Sequence, residues 1–328
     1  MPSNKTGVMG AAGAGGASVV PGKLYAWGDN ATGQLGLGDT TNRSSPVQVG
    51  SNDDWVDIAG GMQRDTSLAI NADGKLYAWG DNVNYQLGIG NNINKSSPVQ
   101  VGTDTNWGSS DLVDISFGKI ATNGSGCFAI KQNGTLWSWG RSYYGQSGHG
   151  DEIIRSNPAQ VGSLTNWLHV VAGEHWFVAI KTDGTLWACG HNLYGTLGLG
   201  DTTNRSSPVQ VGTNTDWSTL FASILSLFAV KSTGALYAWG FNASYGILGI
   251  NSTVTKMISP VQVGTDTDWG MGDRNSYESR GRFFACHLRS DNSLWAWGDN
   301  AVGQLGIGNT TRKLSPVQVG TDTDWGKI

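Results

Sequence analysis

Charge is scarce in this chain. Only 14% of its 328 residues are Asp, Glu, Lys or Arg, the formal net charge is −4, and no run of Lys or Arg occurs. A protein that holds nucleic acid neutralises several phosphates with a basic face, so nucleic acid finds no support as a partner. Cysteine is scarce too. Cys127, Cys189 and Cys286 are an odd number without metal-ligand spacing. They read as small apolar core residues, with no metal and no disulfide framework. No apolar run approaches the roughly 20 residues of a membrane helix, so no membrane span is expected. The five histidines, His149, His169, His175, His191 and His287, never stand beside a recurring Ser or Asp. A nucleophile–base pair is therefore not visible, and no cofactor or catalytic residue is assigned.

What the chain has in abundance is repetition. The segment Leu24–Trp55 returns at Leu76–Trp107, Leu136–Trp167, Leu186–Trp217, Leu236–Trp269 and Leu294–Trp325. Three landmarks recur in each copy. The first is L-[YW]-x-[WC]-G. The second is P-x-Q-V-G, beginning at Pro46, Pro98, Pro158, Pro208, Pro260 and Pro316. The third is a tryptophan nine residues after each proline. A fixed period of this length marks a repeat architecture built from one supersecondary unit.

Each landmark reads as a strand. LYAW is aromatic, β-prone and bounded by glycine. PVQVG opens on a proline, which a strand tolerates at its first residue. WVDIA and SLAIN supply two more strands, and turns such as Asn133-Gly134 and Asp183-Gly184 close tight hairpins. Four short antiparallel strands per repeat describe a propeller blade. Leu24 and Ala26 face one way, Tyr25 and Trp27 the other, so both faces should be buried between neighbouring blades.

The expected fold is all-β: a six-bladed β-propeller over residues 23–328, closed by pairing of its N- and C-terminal strands. Residues 1–22 form a Gly/Ala-rich N-terminal arm ahead of it. Closure is expected because the repeats begin mid-module at LYAWG and finish at Trp325–Ile328, the opening strand of a module. Within the arm, Gly7–Ser18 aligns with the SLAIN strand, but its glycines and alanines make a poor strand.

The run Gly28-Asp29-Asn30-x-x-Gly33-Gln34-Leu35-Gly36-x-Gly38, with its counterparts at Gly80–Gly90, Gly190–Gly200 and Gly298–Gly308, resembles the repeat of the regulator of chromosome condensation family. The resemblance covers about nine tenths of the chain and implies a propeller. Its namesake is an exchange factor for a small nuclear GTPase. Other relatives are enzyme inhibitors, ubiquitin-ligase modules, and bacterial or phage surface proteins. This chain departs from the namesake in having six units rather than seven, no basic tail, and almost no G-x-x-H signature; only Gly173-Glu174-His175-Trp176 comes close. Its near-identical copies and its arm resemble repeat proteins of bacteria and tailed phages.

Two motifs suggest chemistry and point elsewhere. Gly33–Gly38 reads G-x-x-G-x-G, but it opens no helix that could hold a phosphate, so it is a loop between strands. The Thr-Asp-Thr-Asp stretches before Trp269 and Trp325 lack the glycine and bidentate Glu of a calcium loop and read as Asx turns. The segments between each Trp and the next Leu vary in length, the longest being residues 108–135 and 270–293. Insertions at one place in each unit belong on one face and often bind partners. Arg274, Tyr277, Arg280, Arg282 and Phe283 are therefore candidate partner-binding residues, together with Trp176, a tryptophan outside the recurring registers and so expected to be exposed.

The leading functional reading is a non-enzymatic binding or structural protein. It would be a tailed-phage virion component, a decoration or tail adhesin located in the virion, that meets a protein or surface receptor and docks to neighbouring virion subunits through its arm. The alternative is a regulatory protein-binding propeller, such as a GTPase exchange factor or enzyme inhibitor, cytoplasmic or extracellular. A carbohydrate-active enzyme is the third.

Overall fold

The computed structural model describes residues 7–10, 21–60, 65–108, 118–242, 245–270 and 283–325, and no α-helix occurs among them. The chain forms two compact units, residues 1–175 and 176–328. In the first unit, β1 (Gly7–Gly10), β2 (Leu24–Gly28) and β3 (Arg43–Gln48) form one sheet in that order. A second sheet holds β4 (Trp55–Gly60), β5 (Thr66–Asn71), β6 (Leu76–Gly80) and β7 (Lys95–Gln100). A third holds β8 (Ile120–Thr122), β9 (Gly126–Ile130), β10 (Leu136–Gly140) and β11 (Arg155–Gln160), and β12 (Trp167–Ala172) ends the unit. In the second unit β13 (Trp176–Lys181), β14 (Leu186–Gly190) and β15 (Arg205–Gln210) lie side by side. They are followed by the sheet of β16 (Trp217–Ala222), β17 (Ser226–Lys231), β18 (Leu236–Phe241) and β19 (Lys256–Gln262), and by that of β20 (Phe284–Leu288), β21 (Leu294–Gly298) and β22 (Lys313–Gln318). The strands of each sheet pair antiparallel, as hairpin-linked strands require.

Two expectations about strands need correction. The proline strand starts three residues before its proline, at Arg43 rather than Pro46, and the proline sits inside it. It is tolerated because β3, β7, β11, β19 and β22 are edge strands, where a missing N–H breaks no ladder. Second, the arm does contribute a strand. Gly7 to Gly10 pair with Trp27 to Leu24, through backbone groups that glycine carries as well as any residue.

Successive sheets within each unit are locked by the LYAWG tryptophan. Trp79 is buried, and its indole N–H donates to the carbonyl of Gln34 in the preceding loop at 2.9 Å. Trp139 does the same to Gln86 at 2.8 Å, Trp239 to Thr196 at 3.0 Å and Trp297 to Ile247 at 2.7 Å. Each ring lies over a loop glycine. A Cβ on Gly36 would stand 2.7 Å from the Trp79 nitrogen, so no side chain fits there. The loops' last amide reaches the next sheet's outer strand as well: Gly38 donates to Ser96 and Gly90 to Ser156.

The opposite ends of the sheets carry the second tryptophan register. The amides of Trp107 and Trp167 donate to the hairpin carbonyls of Gly74 and Gly134. The acidic residues before these tryptophans do more than turn the chain. Asp104 pairs with Lys131 at 2.7 Å, and the ammonium lies 4.7 Å from the Trp107 ring and 4.0 Å from that of Trp137. Asp216 pairs with Lys231, and Asp266 and Asp268 with Arg289, whose guanidinium covers Trp295 at 3.7 Å. These cations seal the ends of the tryptophan core against water.

Candidate protein-binding loops

The loop that follows each LYAWG strand is built around one buried asparagine. The Asn82 amide donates to the carbonyls of Asn91 and Ile93 at 2.8 and 3.0 Å, and its oxygen accepts from the Leu87 amide. Asn30, Asn192, Asn242 and Asn300 repeat that last bond to Leu35, Leu197, Leu248 and Leu305. In the third copy Ser142 takes the place, bonding Ser147 and the carbonyl of Asp151. Asn82→Ala would remove the donor from two loop carbonyls and strand the buried Leu87 amide. It is expected to cost about 2–4 kcal/mol in urea unfolding, whereas Asn84→Ala, on the outer turn of the same loop, should cost much less.

On this shared frame the residues beside the asparagine differ. After the strand glycine stand Asp29, Asp81, Arg141, His191, Phe241 and Asp299. Two positions on, Val83, Tyr143 and Leu193 are 55%, 49% and 53% exposed, and Val302, three on from Asp299, is 85% exposed. In the first unit Asp29, Asp65 and Asp81 come together. Partial burial, and then the charges of Asp29 and Asp81, raise the carboxyl of Asp65 above its ordinary range. Further along, the Arg141 guanidinium lies 4.1 Å from the Tyr143 ring, and Tyr144 faces His175 at 5.0 Å. In the second unit Tyr194 meets Phe241 edge-on at 4.9 Å, and Tyr245 stacks on Phe283 at 4.5 Å with the Arg312 guanidinium 5.0 Å from its ring. Within each unit the loops thus present carboxylates, guanidinium groups and aromatic rings on a fixed backbone.

Of the residues expected from sequence to bind a partner, Arg274, Tyr277, Arg280 and Arg282 lie outside the described residues. Phe283 is half-buried beneath Tyr245. Trp176 is a correction. It is 1% exposed, because it opens β13, a strand whose six residues are all buried. Its place outside the tryptophan registers misled the expectation; its position ahead of the apolar run FVAI was the better guide.

The structure also joins a pair that sequence did not connect. Ser138 Oγ lies 2.9 Å from His149 Nε2. Ser138 is fully buried and donates its one hydrogen to the Ser147 carbonyl at 2.7 Å. The imidazole must then be the donor to Ser138, which is the wrong tautomer for a general base. Burial, and then the charge of Arg155, also lowers the pKa of His149. At the hairpin ends, between the second and third sheets, a cavity of about 30 Å³ is lined by Asp57, Ile70, Trp107 and Lys119 among others. That is room for a water or two rather than a substrate. No group of three metal-ligating side chains occurs among the described residues, and no helix among them is long and apolar enough to cross a membrane.

The model of the RCC1-like domain matches residues 22–278, and that of the regulator of chromosome condensation (RCC1) repeat matches residues 291–326. The chain belongs to the RCC1-like domain family. That family consists of β-propellers. Human E3 ubiquitin-protein ligase HERC2 is 33% identical over 147 residues, 44% of this chain and 3% of that protein. The ultraviolet-B receptor UVR8 of Arabidopsis thaliana is 30% identical over 167 residues, 48% of this chain and 36% of the receptor. The chain therefore spans only a part of the length of these curated relatives. Prp20p from Saccharomyces cerevisiae has the same fold, with a TM-score of 0.72 at 17% identity over 93% of this chain and 74% of that one. Human WBSCR16 gives 0.71 at 18% identity, over 91% of this chain and 78% of that one.

Proposed function

We propose that this RCC1-like chain is a non-enzymatic, protein-binding propeller of six blades that recognises a regulatory partner through the loops after its LYAWG strands. The observation that carries the reading is the contrast within those loops. Asn30, Asn82, Asn192, Asn242 and Asn300 are all buried, whereas the residue just before each, half-buried in every copy but Asp81, runs through Asp, His and Phe, with Arg in the third copy. A purely structural position has no reason to vary among copies that are otherwise so alike, and loops on a rigid frame are where binding residues collect. The relatives fit this reading. Prp20p has binding properties toward Gsp1p and histones, and HERC2 is named a ubiquitin ligase while sharing only a module with this chain. Carried over by analogy, the partner is a protein. The reading as a virion component, with its arm docked to neighbouring subunits, gains nothing from the relatives described above.

The test is capture from the cells that make the protein, with the full chain and with a variant carrying Val83→Asp, Tyr143→Asp and Leu193→Asp. All three positions are exposed, so the variant should melt within about 2 °C of the parent. Its specific prey should be lost. Equal recovery of the same prey by both proteins would move the site away from these loops, and prey consisting of capsid or tail proteins would restore the virion reading.

The six-bladed form includes closure of the ring, with Trp325–Ile328 completing the first sheet as Trp55–Gly60 begins the second. The sixfold sequence period supports it.

A further inference from the structure

In the first, second, third and last repeats the loop after the LYAWG strand carries a glutamine at one place. In three of them its Nε2 is satisfied by an acid. Gln34, Gln86 and Gln304 donate to the carboxylates of Asp29, Asp81 and Asp299, each at 3.0 Å. The third repeat keeps the glutamine and loses the acid. Gln146 is fully buried, and its Oε1 accepts from the Tyr144 amide at 2.9 Å, as the other three accept from Thr32, Asn84 and Val302. That bond fixes which end of the side chain is the nitrogen. Gln146 Nε2 has no hydrogen-bond partner, because Arg141 stands where the other repeats have aspartate, and the buried Nε of Arg141 has none either. Native structures seldom leave buried donors unpaired without a purpose. Two of them stand here, on a frame that elsewhere holds a carboxylate.

The loop surface around this place is apolar as in no other repeat. Val83 follows Asn82, whose amide also holds the Ile93 carbonyl at 3.0 Å. Tyr143 and Ile153 take the same two places in the third loop. Ile93 and Ile153 are 62% and 63% exposed. At the second place the first, fourth and last repeats carry Thr41, Thr203 and Thr311, and the fifth has only Ala243 at the first. The second and third loops also adjoin. The Gly90 amide at the end of one donates to the Ser156 carbonyl of β11 at 2.9 Å, and Trp139 of β10 donates to Gln86. The Arg141 guanidinium lies 4.1 Å from the Tyr143 ring, beside these apolar side chains.

We propose that Arg141 and Gln146 receive the carboxylate of an Asp or Glu side chain from a partner protein, on a segment whose flanking aliphatic residues rest on Val83, Ile93, Tyr143 and Ile153. The incoming acid supplies the acceptor that the third repeat lacks. Guanidinium and carboxylate make a strong charge-assisted pair, and the apolar rim keeps water from it. Tyr143, half exposed and lying over the guanidinium, is the ring that turns aside to admit the acid. This inference rests on the loop reading and narrows it to two loops and one partner chemistry.

The probe is a yeast-displayed library of random peptides selected on the full chain. The tightest clone is then made with a fluorescein label and titrated by anisotropy. The expected clone carries an Asp or Glu among aliphatic residues. Changing that acid to its amide, or Arg141→Asp in the chain, should weaken binding by at least about tenfold. Arg141→Asp gives Gln146 the acceptor found in the other repeats, so this variant should melt no more than about 2 °C below the parent. The proposal is overturned if no clone is enriched, if the acid can be changed without loss, if Arg141→Asp binds as the parent does, or if that variant melts well below it. Should one of these occur while Ile93→Ser with Ile153→Ser abolishes binding, the loop reading survives alone. Undiminished binding by the Val83→Asp, Tyr143→Asp, Leu193→Asp chain would sink the loop reading as well. Dimerisation of the chain, or its sedimentation with phosphatidylserine vesicles, if abolished by Arg141→Asp, would give the patch to a second copy or to a membrane and would likewise overturn the proposal.

Discussion

Trp79→Ala is expected to lower the unfolding free energy by about 3–5 kcal/mol. The ring is 1% exposed and packs among Leu35, Val49, Trp55 and other apolar residues of the first two sheets. Its removal also leaves the buried Gln34 carbonyl without the indole donor, although the Ser67 hydroxyl still bonds it at 3.1 Å. Trp79→Phe separates the two contributions. It keeps most of the apolar contact, loses the hydrogen bond, and should cost about 1–2 kcal/mol. Urea unfolding read by circular dichroism measures both. Trp27 stands at the same place in the first repeat. In a closed ring its alanine variant costs as much as Trp79→Ala; a loss below about 1 kcal/mol would show an unclosed end.

Asp57→Asn is expected to stabilise the protein above neutral pH and to do little in acid. Asp57 is buried beside the hairpin-end cavity, and its Oδ2 has no hydrogen-bond partner, while Oδ1 accepts from the Ile58 amide. Burial pushes its pKa from 3.8 to about 7, with that amide and the charge of Lys119 opposing the shift only in part. The folded state therefore binds the proton more tightly than the unfolded chain does. Well below the unfolded pKa of 3.8 the side chain is protonated in both states and no penalty exists. Between about pH 4 and 7 the unfolded chain gives up its proton first, so stability falls as pH rises; above 7 the loss is complete, on the order of 4 kcal/mol. Melting curves of parent and Asp57→Asn at pH 4 and pH 8 measure this. A gain of equal size at both pH values would show that ionisation is not the cause.

The repeats make most of the core readable from the sequence. A position that must fit between two sheets has to recur, and Trp79, Trp107, Trp139, Trp239, Trp269 and Trp297 are all buried. What recurs in sequence at the wrong scale was harder to read. Trp176 stands out against the registers, yet its burial follows from the apolar strand behind it. The pairing of Asp104 with Lys131 links two strand ends far apart in the chain, and only the hairpin geometry brings them together. The arm strand was hidden for a different reason. Gly7–Gly10 has low strand propensity, and its pairing rests on backbone groups that composition does not reveal. The proposed binding loops are half visible in the sequence. Tyr143, Tyr144, Tyr194 and Tyr245 broke the polar pattern of their copies, but the stacking of Tyr245 on Phe283 and of Tyr144 on His175 depends on neighbouring sheets meeting.

Binding through the loops predicts which end of each sheet a partner touches. Hydrogen–deuterium exchange of the full chain, alone and with its captured partner, should show protection in the loops at 29–33, 81–85, 141–145, 191–195 and 299–303. The hairpins at 72–75, 132–135, 182–185 and 232–235, at the other end of each sheet, should be unchanged. Protection confined to those hairpins, with the loops exchanging as in the free protein, would contradict it.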